Sequence, residues 1–287
     1  MKTHKFFLNL FPALAMIFLF SGSLQAQGTY LSLSGGYGIA TASMMIGANF
    51  TGSSYKEVKG TFGEGTTAAI TIGKKLSTNV ALEMGIAYLF GTKKIDDLGA
   101  FWLPVQEFAT EIKTRIFRFS PVLKINTEGK NKLYLKTGLI VAVGEKITVS
   151  TDQAASITYP YYFESKNTTE EFTGGIAIGF TGGAGIEFSL RQNVSLFSEL
   201  SFIAESWAPS HSKITRYIIN GQDQLPMMTI SDKETEYVNE IALNSSNNSS
   251  EPKKQFKAYF PMSSIALNIG IKFSFQEKTK TSKSVTN

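Results

Sequence analysis

Val80-Ala81-Leu82-Glu83-Met84-Gly85-Ile86-Ala87-Tyr88-Leu89-Phe90 is the stretch that decides the fold. Its even positions are large and apolar, while its odd positions are Ala81, Glu83, Gly85, Ala87 and Leu89. Side chains alternate between the faces of a strand, so one face is continuous and greasy and the other is mostly small with one acid. The outer face of a soluble sandwich is crowded with charge. A second face that is small and sparsely charged suits the inside of a narrow barrel whose greasy face meets hydrocarbon.

Working outward, the same alternation returns seven more times. Tyr30 to Ile39 sets Leu31, Leu33, Gly35, Tyr37 and Ile39 against Ser32, Ser34, Gly36 and Gly38. Thr67 to Leu76 sets Ile70 and Ile72 against Thr71 and Gly73, and Phe117 to Ile125 sets Phe119 and Leu123 against Arg118 and Lys124. Leu133 to Gly144 sets Leu133, Leu135 and Leu139 against Tyr134, Lys136 and Gly138. Gly175 to Leu190, Val194 to Ala204 and Ser264 to Phe275 complete the series, with Glu187, Glu199 and Lys272 on their small faces. Eight is an even number, and about 9–11 residues suffice for a strand to cross a bilayer.

The connections alternate as well. Leu76 to Asn79, Asn126 to Asn131 and Arg191 to Asn193 are short; Thr41 to Thr66, Gly91 to Glu107, Glu145 to Phe172 and Glu205 to Lys257 are long and polar. Short turns at one end and long loops at the other is the arrangement of bacterial outer-membrane barrels. The fold class expected is therefore all-β: an eight-stranded antiparallel up-and-down transmembrane β-barrel with short periplasmic turns and long extracellular loops. Its main rival is a soluble lipocalin-like barrel, in which the greasy rows would face inward.

The N-terminus agrees with export. Lys2 and Lys5 precede an apolar run from Phe6 to Phe20, and small residues around Ser21 to Ala26 offer a cleavage site. Residues 1–26 read as a cleaved signal peptide, 27–275 as the barrel and 276–287 as a polar basic tail. The net charge of +5 falls to +3 without the leader's lysines and to +1 without the tail. No basic stripe remains for nucleic acid to follow. The chain has no cysteine, which excludes disulfides, thiolate metal sites and a cysteine nucleophile.

Several segments resemble the small eight-stranded OmpA/OmpX-like family of outer-membrane barrels. They are Tyr37-Gly38, Phe119-Ser-Pro-Val-Leu-Lys-Ile125, Tyr134-Leu-Lys-Thr-Gly138, Gly182-Gly-Ala-Gly-Ile-Glu-Phe188 and Leu267-Asn-Ile-Gly-Ile-Lys-Phe-Ser-Phe275. The resemblance implies the cell outer membrane as location, with lipid and the barrel-assembly machinery as partners. It also implies that the last strand, through Ile269, Ile271, Phe273 and Phe275, carries the assembly signal. The family shares a fold more than an activity, so no function follows from it.

The small faces carry charge. Strand adjacency predicts that Glu83 meets Lys124, Lys136 meets Glu187 and Glu199 meets Lys272, with Arg118 one layer higher. Such a network would fill a barrel just wide enough for side chains, pairing ions that would be costly alone. A narrow ion path is the alternative reading. Glu111, Lys113 and Arg115 are expected to project above the lipid, and Tyr88, Phe90, Phe117 and Phe180 to form an aromatic girdle.

Chemistry is sparse. Of the two histidines, His4 lies in the leader, leaving His211 beside Ser210 and Ser212 in a polar loop. No motif for a metal, phosphate or dinucleotide is present, and no cofactor is expected. An outer-membrane enzyme modifying lipid or peptide, the remaining alternative, would rest on His211 alone, and the expectation is a protein without catalytic activity. The aromatics Phe101, Trp102, Tyr159, Tyr161, Tyr162 and Phe163 cluster on long loops, where an extracellular protein or glycan would bind. A hairpin is expected over Ile214 to Ile230, turning at Asn220-Gly221 and extending the last two strands. Asn244 to Lys254 reads as a disordered tip. The chain is expected to be a monomeric scaffold, with a passive channel or uptake accessory as the alternative.

Overall fold

A computed structural model describes residues 28–41, 44–51, 54–99, 106–157, 162–242 and 248–275. The expected leader and tail, and the aromatics Phe101, Trp102, Tyr159 and Tyr161, lie outside these residues. The strands are β1 (Thr29–Ala40), β2 (Met44–Thr51), β3 (Ser54–Gly60), β4 (Gly65–Lys75), β5 (Val80–Gly99), β6 (Gln106–Asn126), β7 (Asn131–Ile157) and β8 (Tyr162–Thr173). They continue with β9 (Ala177–Arg191), β10 (Val194–Ala204), β11 (Ser206–Trp207), β12 (His211–Ile219), β13 (Gln222–Asp223), β14 (Glu234–Val238), β15 (Lys253–Phe256), β16 (Phe260–Pro261) and β17 (Ser264–Phe275). A 3-10 turn spans Leu225–Met227 and a short helix, α1, spans Ile230–Lys233.

The barrel is the circuit β1-β4-β5-β6-β7-β9-β10-β17, closed on itself, with every neighbouring pair antiparallel. Its seam joins first strand to last, from Thr29↔Phe275 to Ala40↔Ser264. Closure leaves no unpaired strand edge, which is the condition for crossing hydrocarbon with strands. All eight expected strands are present. The four long connections are at the end opposite the short turns after β4, β6 and β9.

The greasy rows face outward. Leu135 is 64% exposed, Ile178 63% and Ile269 63%, whereas a soluble barrel would bury them. An apolar exterior of this extent is a lipid-facing surface, which makes this a transmembrane barrel rather than the lipocalin-like rival.

The long connections are not simply loops. The β5–β6 ladder runs unbroken to Gly99↔Gln106, and β7 continues past the barrel to pair with β8 up to Ile157↔Tyr162. Above the belt β6 keeps its parity but changes its chemistry. On β6 the outward row is Phe119 and Phe117 and then Arg115 and Lys113, while the inward row becomes Ile116 and Ile112, both buried. Reading only for outward grease therefore stops at the lipid boundary although the strand does not.

Two glycine sites shape this upper wall. Gly144, at φ +65°, adds a bulged residue to β7, so that Phe117 faces Val143 but Arg115 faces Lys146. Gly174 and Gly175, at φ +77° and +84°, separate β8 from β9 on one descending path; a Cβ at Gly175 would strike the Ala208 carbonyl oxygen. Above the break, β8 leaves the barrel and pairs with β12, which continues to β14 and β15 as a side sheet.

That side sheet changes two expectations. The turn at Asn220-Gly221 is present, with φ +48° and +79°, but only Ile218↔Asp223 and Ile219↔Gln222 pair across it. β12 instead takes β8 as its long partner, because the strand edge released at Gly174 offers eight paired positions from His211↔Thr173 to Ile219↔Lys166. Lys253 and Lys254, expected in a disordered tip, pair in parallel with Thr235 and Glu236.

Candidate functional site

The candidate site is the barrel lumen, built in two layers. In the lower layer Glu83, Lys124, Glu187, Glu199 and Lys272 are buried, and Lys136 is more open. Lys124 lies 3.6 Å from Glu83 and 3.5 Å from Glu187, and Lys272 also pairs with Glu187. Lys136 lies 2.7 Å from Glu199. Three ammonium groups therefore meet three carboxylates, and the layer is neutral as a whole.

The Glu83–Lys124 contact is the one adjacency predicts. Lys136 and Lys272 have exchanged acids, and the register explains why. Glu187 faces Lys132 rather than Lys136, and Lys272 faces Ser195 while Glu199 faces Asn268. Each expected pair is thus offset by four residues, about 13 Å along a strand and out of side-chain reach. The observed pairs bridge one intervening strand with an offset of two. Between Lys136 and Glu199 that strand presents Gly183 and Gly185, which have no side chain to block the path.

Two tyrosines extend the layer by a repeated device. Tyr30, Gly73 and Glu83 stand in one rung across β1, β4 and β5, and the Tyr30 hydroxyl donates to Glu83 Oε1 at 2.6 Å. Tyr134, Gly185 and Glu199 form the equivalent rung across β7, β9 and β10, with a 3.0 Å hydrogen bond to Glu199 Oε2. Each ring occupies the space beside the glycine, where any Cβ would collide with it. Lys124 Nζ sits 3.8 Å from the Tyr134 ring centroid, which adds a cation–π contact. Both tyrosines fall in the inward rows of the sequence pattern, but their partners become visible only with the register.

The upper layer is mostly apolar. Leu89, Ile112, Ile116, Ile147, Trp207 and Met262 form a buried cluster, and Phe62, Phe172 and Phe260 pack against it. Trp207 and Phe260 come from the last long connection, whose strands β11 and β16 pair across the barrel mouth. Trp207 is fully buried and its Nε1 donates to the Gly174 carbonyl at 2.9 Å.

Between the layers, Arg118 is buried and its Nε donates to Glu205 Oε2 at 2.8 Å. Its guanidinium also reaches the Met262 carbonyl at 3.4 Å, tying the barrel wall to the mouth. Glu145, also buried, adds a second carboxylate to this level. Glu205 continues the inward row of Glu199, Ser201 and Ile203, so parity could have found it; Glu145 lies beyond the Gly144 bulge, where parity fails. A polar cavity of about 120 Å³ lies between the charge layer and Arg118, lined by residues such as Ser32, Thr71, Ser120 and Asn268.

The remaining expected residues are elsewhere. Ile269, Ile271, Phe273 and Phe275 lie on β17 at the seam, facing β1 and β10. Tyr162 and Phe163 open β8. Phe90, Phe117 and Phe180 are exposed on the outer wall, and the Tyr88 ring packs 4.4 Å from both Phe90 and Phe117. His211 is exposed; its Nδ1 is 2.8 Å from the hydroxyl of Ser210, its chain neighbour. Nδ1 is the ring atom that an orienting acid would hold in a hydrolase triad, so the contact is a local one.

No family model matches the chain, and no curated protein matches it. Solved structures do. Neisserial surface protein A is 11% identical over 87% of this chain and 99% of its own, with a TM-score of 0.32. The outer membrane protein OprG from Pseudomonas aeruginosa is 8% identical over 88% of this chain and 98% of its own, at 0.42. CarO from Acinetobacter baumannii is 9% identical over 88% of this chain and 100% of its own, at 0.32.

Proposed function

We propose that this protein is an outer-membrane barrel with a closed lumen, serving as a structural or interaction scaffold that presents its long-loop end to the exterior. One observation carries the reading. The lumen is filled twice over, by a neutral ion-pair layer below and by a buried apolar layer containing Trp207, Ile116 and Met262 above. A conducting pore needs a continuous polar path, and the upper layer interrupts it. The side sheet β8-β12-β14-β15 gives the exterior end a rigid surface on which a protein or glycan partner can dock.

The same reading assigns no catalytic role. His211 is solvent-facing and engaged with its neighbour, and His211→Ala should leave any measured activity of the purified protein unchanged. The decisive experiment is planar-bilayer recording. Purified, heat-modifiable protein should give no steady unitary conductance, and a reproducible single-channel level would overturn the closed-lumen scaffold. The barrel itself is checked separately: membrane-extracted protein should migrate faster unboiled than boiled on a detergent gel.

A further inference from the structure

The outer wall changes character within one rung. Tyr88, Phe90 and Phe117 form a ring-to-ring patch at the top of the apolar belt, each contact at 4.4 Å. Directly above, Arg115 on β6 faces Phe90 on one side and Lys146 on the other, and Lys113 follows two residues higher. Like charges placed directly opposite in a ladder repel, so this juxtaposition calls for a counter-anion.

The protein supplies only part of it. Lys113 pairs with Glu111 at 2.7 Å and Lys146 with Glu171 at 2.9 Å. Both acids stand one step farther from the aromatic patch than their lysines: Glu111 faces Ser150, and Glu171 faces Thr148. Exposed Arg115 has no ion pair among the described residues. Cations thus line the membrane side of the rung and acids the solvent side. Arg115 and Lys146 stand about 5 Å apart at their Cβ atoms, a spacing one phosphate can bridge.

We infer that Arg115, Lys146 and Lys113 form a docking surface for the phosphate of an anionic lipid headgroup, whose acyl chains lie against the Tyr88-Phe90-Phe117 patch. The inference rests on the membrane-barrel reading. Its level on the wall is where headgroups meet the end of a greasy belt, and basic residues there attract anionic lipid.

The test uses the full chain in phosphatidylcholine nanodiscs containing a minor fraction of phosphatidic acid, with lipid retained by the protein read by native mass spectrometry. Arg115→Ala and Lys146→Ala should each lower phosphatidic acid retention about five-fold, with partial recovery in Arg115→Lys. Lys213→Ala, on the side sheet, should leave it unchanged. Heat-modifiable migration establishes that each variant is inserted. Equal retention by inserted variants, equal loss in Lys213→Ala, or equal retention of oleate would overturn the site. Displacement by inorganic phosphate would also overturn it, since the surface would then read free phosphate rather than lipid. Recovery of the protein without detergent would remove the barrel reading itself, a separable failure.

Discussion

Below and above the aromatic girdle, the same strands solve opposite problems. Within the belt, β6 turns Phe119 and Leu123 outward and Lys124 inward; above it, β6 turns Arg115 and Lys113 outward and Ile116 and Ile112 inward. The alternation of β6 does not change across that line. What changes is the solvent outside, and the hydrophobic effect follows it. In hydrocarbon the greasy face costs nothing outside, so the interior takes polar groups that can satisfy one another. In water the greasy face must turn in, and the mouth acquires an ordinary protein core.

The two interiors should therefore fail differently. The largest loss is expected for Glu187→Ala, which strips both Lys124 and Lys272 of a shared carboxylate in the lower layer. Leaving buried charge uncompensated costs about 3–5 kcal/mol, which urea unfolding in lipid vesicles would measure as global destabilisation. Trp207→Ala empties the centre of the upper core and should cost about 3 kcal/mol, but locally. Its signature is faster proteolysis within 205–263 while the barrel keeps its heat-modifiable migration. If Trp207→Ala unfolded the whole barrel, the two regions would be one cooperative unit and the contrast would disappear.

A paired substitution sharpens the boundary. Leu135→Arg places a charge on the lipid-facing row and should cost about 2–4 kcal/mol in vesicle unfolding. Thr148→Arg places the same charge on the outward row above the girdle and should cost close to nothing. Equal costs would put the water line somewhere else. Gly185→Ala tests the tyrosine rungs: its new methyl group collides with the Tyr134 ring, an overpacking of about 1–3 kcal/mol. The companion Gly73→Ala should behave alike under Tyr30 if the rungs are equivalent.

The smallest effect belongs to the side sheet. A hydrogen bond from the exposed Lys213 holds the half-buried Glu234 carboxyl below its ordinary value, and the pair spans 2.8 Å. A depressed carboxyl contributes stability above its unfolded value and loses it as pH falls through the folded one. Lys213→Ala should move the Glu234 titration upward in an NMR pH series without a measurable change in global unfolding, because exposed pairs contribute little.

Much of this was legible from residue order. The period-two rows located all eight barrel strands, and the alternation of short and long connections separated the two ends. The inward rows already contained Glu83, Lys124, Tyr134, Glu187 and Lys272. Partnership among them was not legible, since it depends on how far one strand is shifted against the next. Lys136 and Glu187 lie on adjacent strands yet four residues apart in register, so the lysine finds Glu199 across two glycines.

From residue order alone came the barrel, its strand count, the face each side chain takes and the greasy belt, because a pleated strand fixes facing by parity and composition reports the surrounding solvent. Tertiary structure decided the ion pairs, the tyrosine rungs, the core under Trp207 and the side sheet on β8. These depend on register, on the bulge at Gly144 and on the break at Gly174, and such shifts arise only when strands separated by many residues meet.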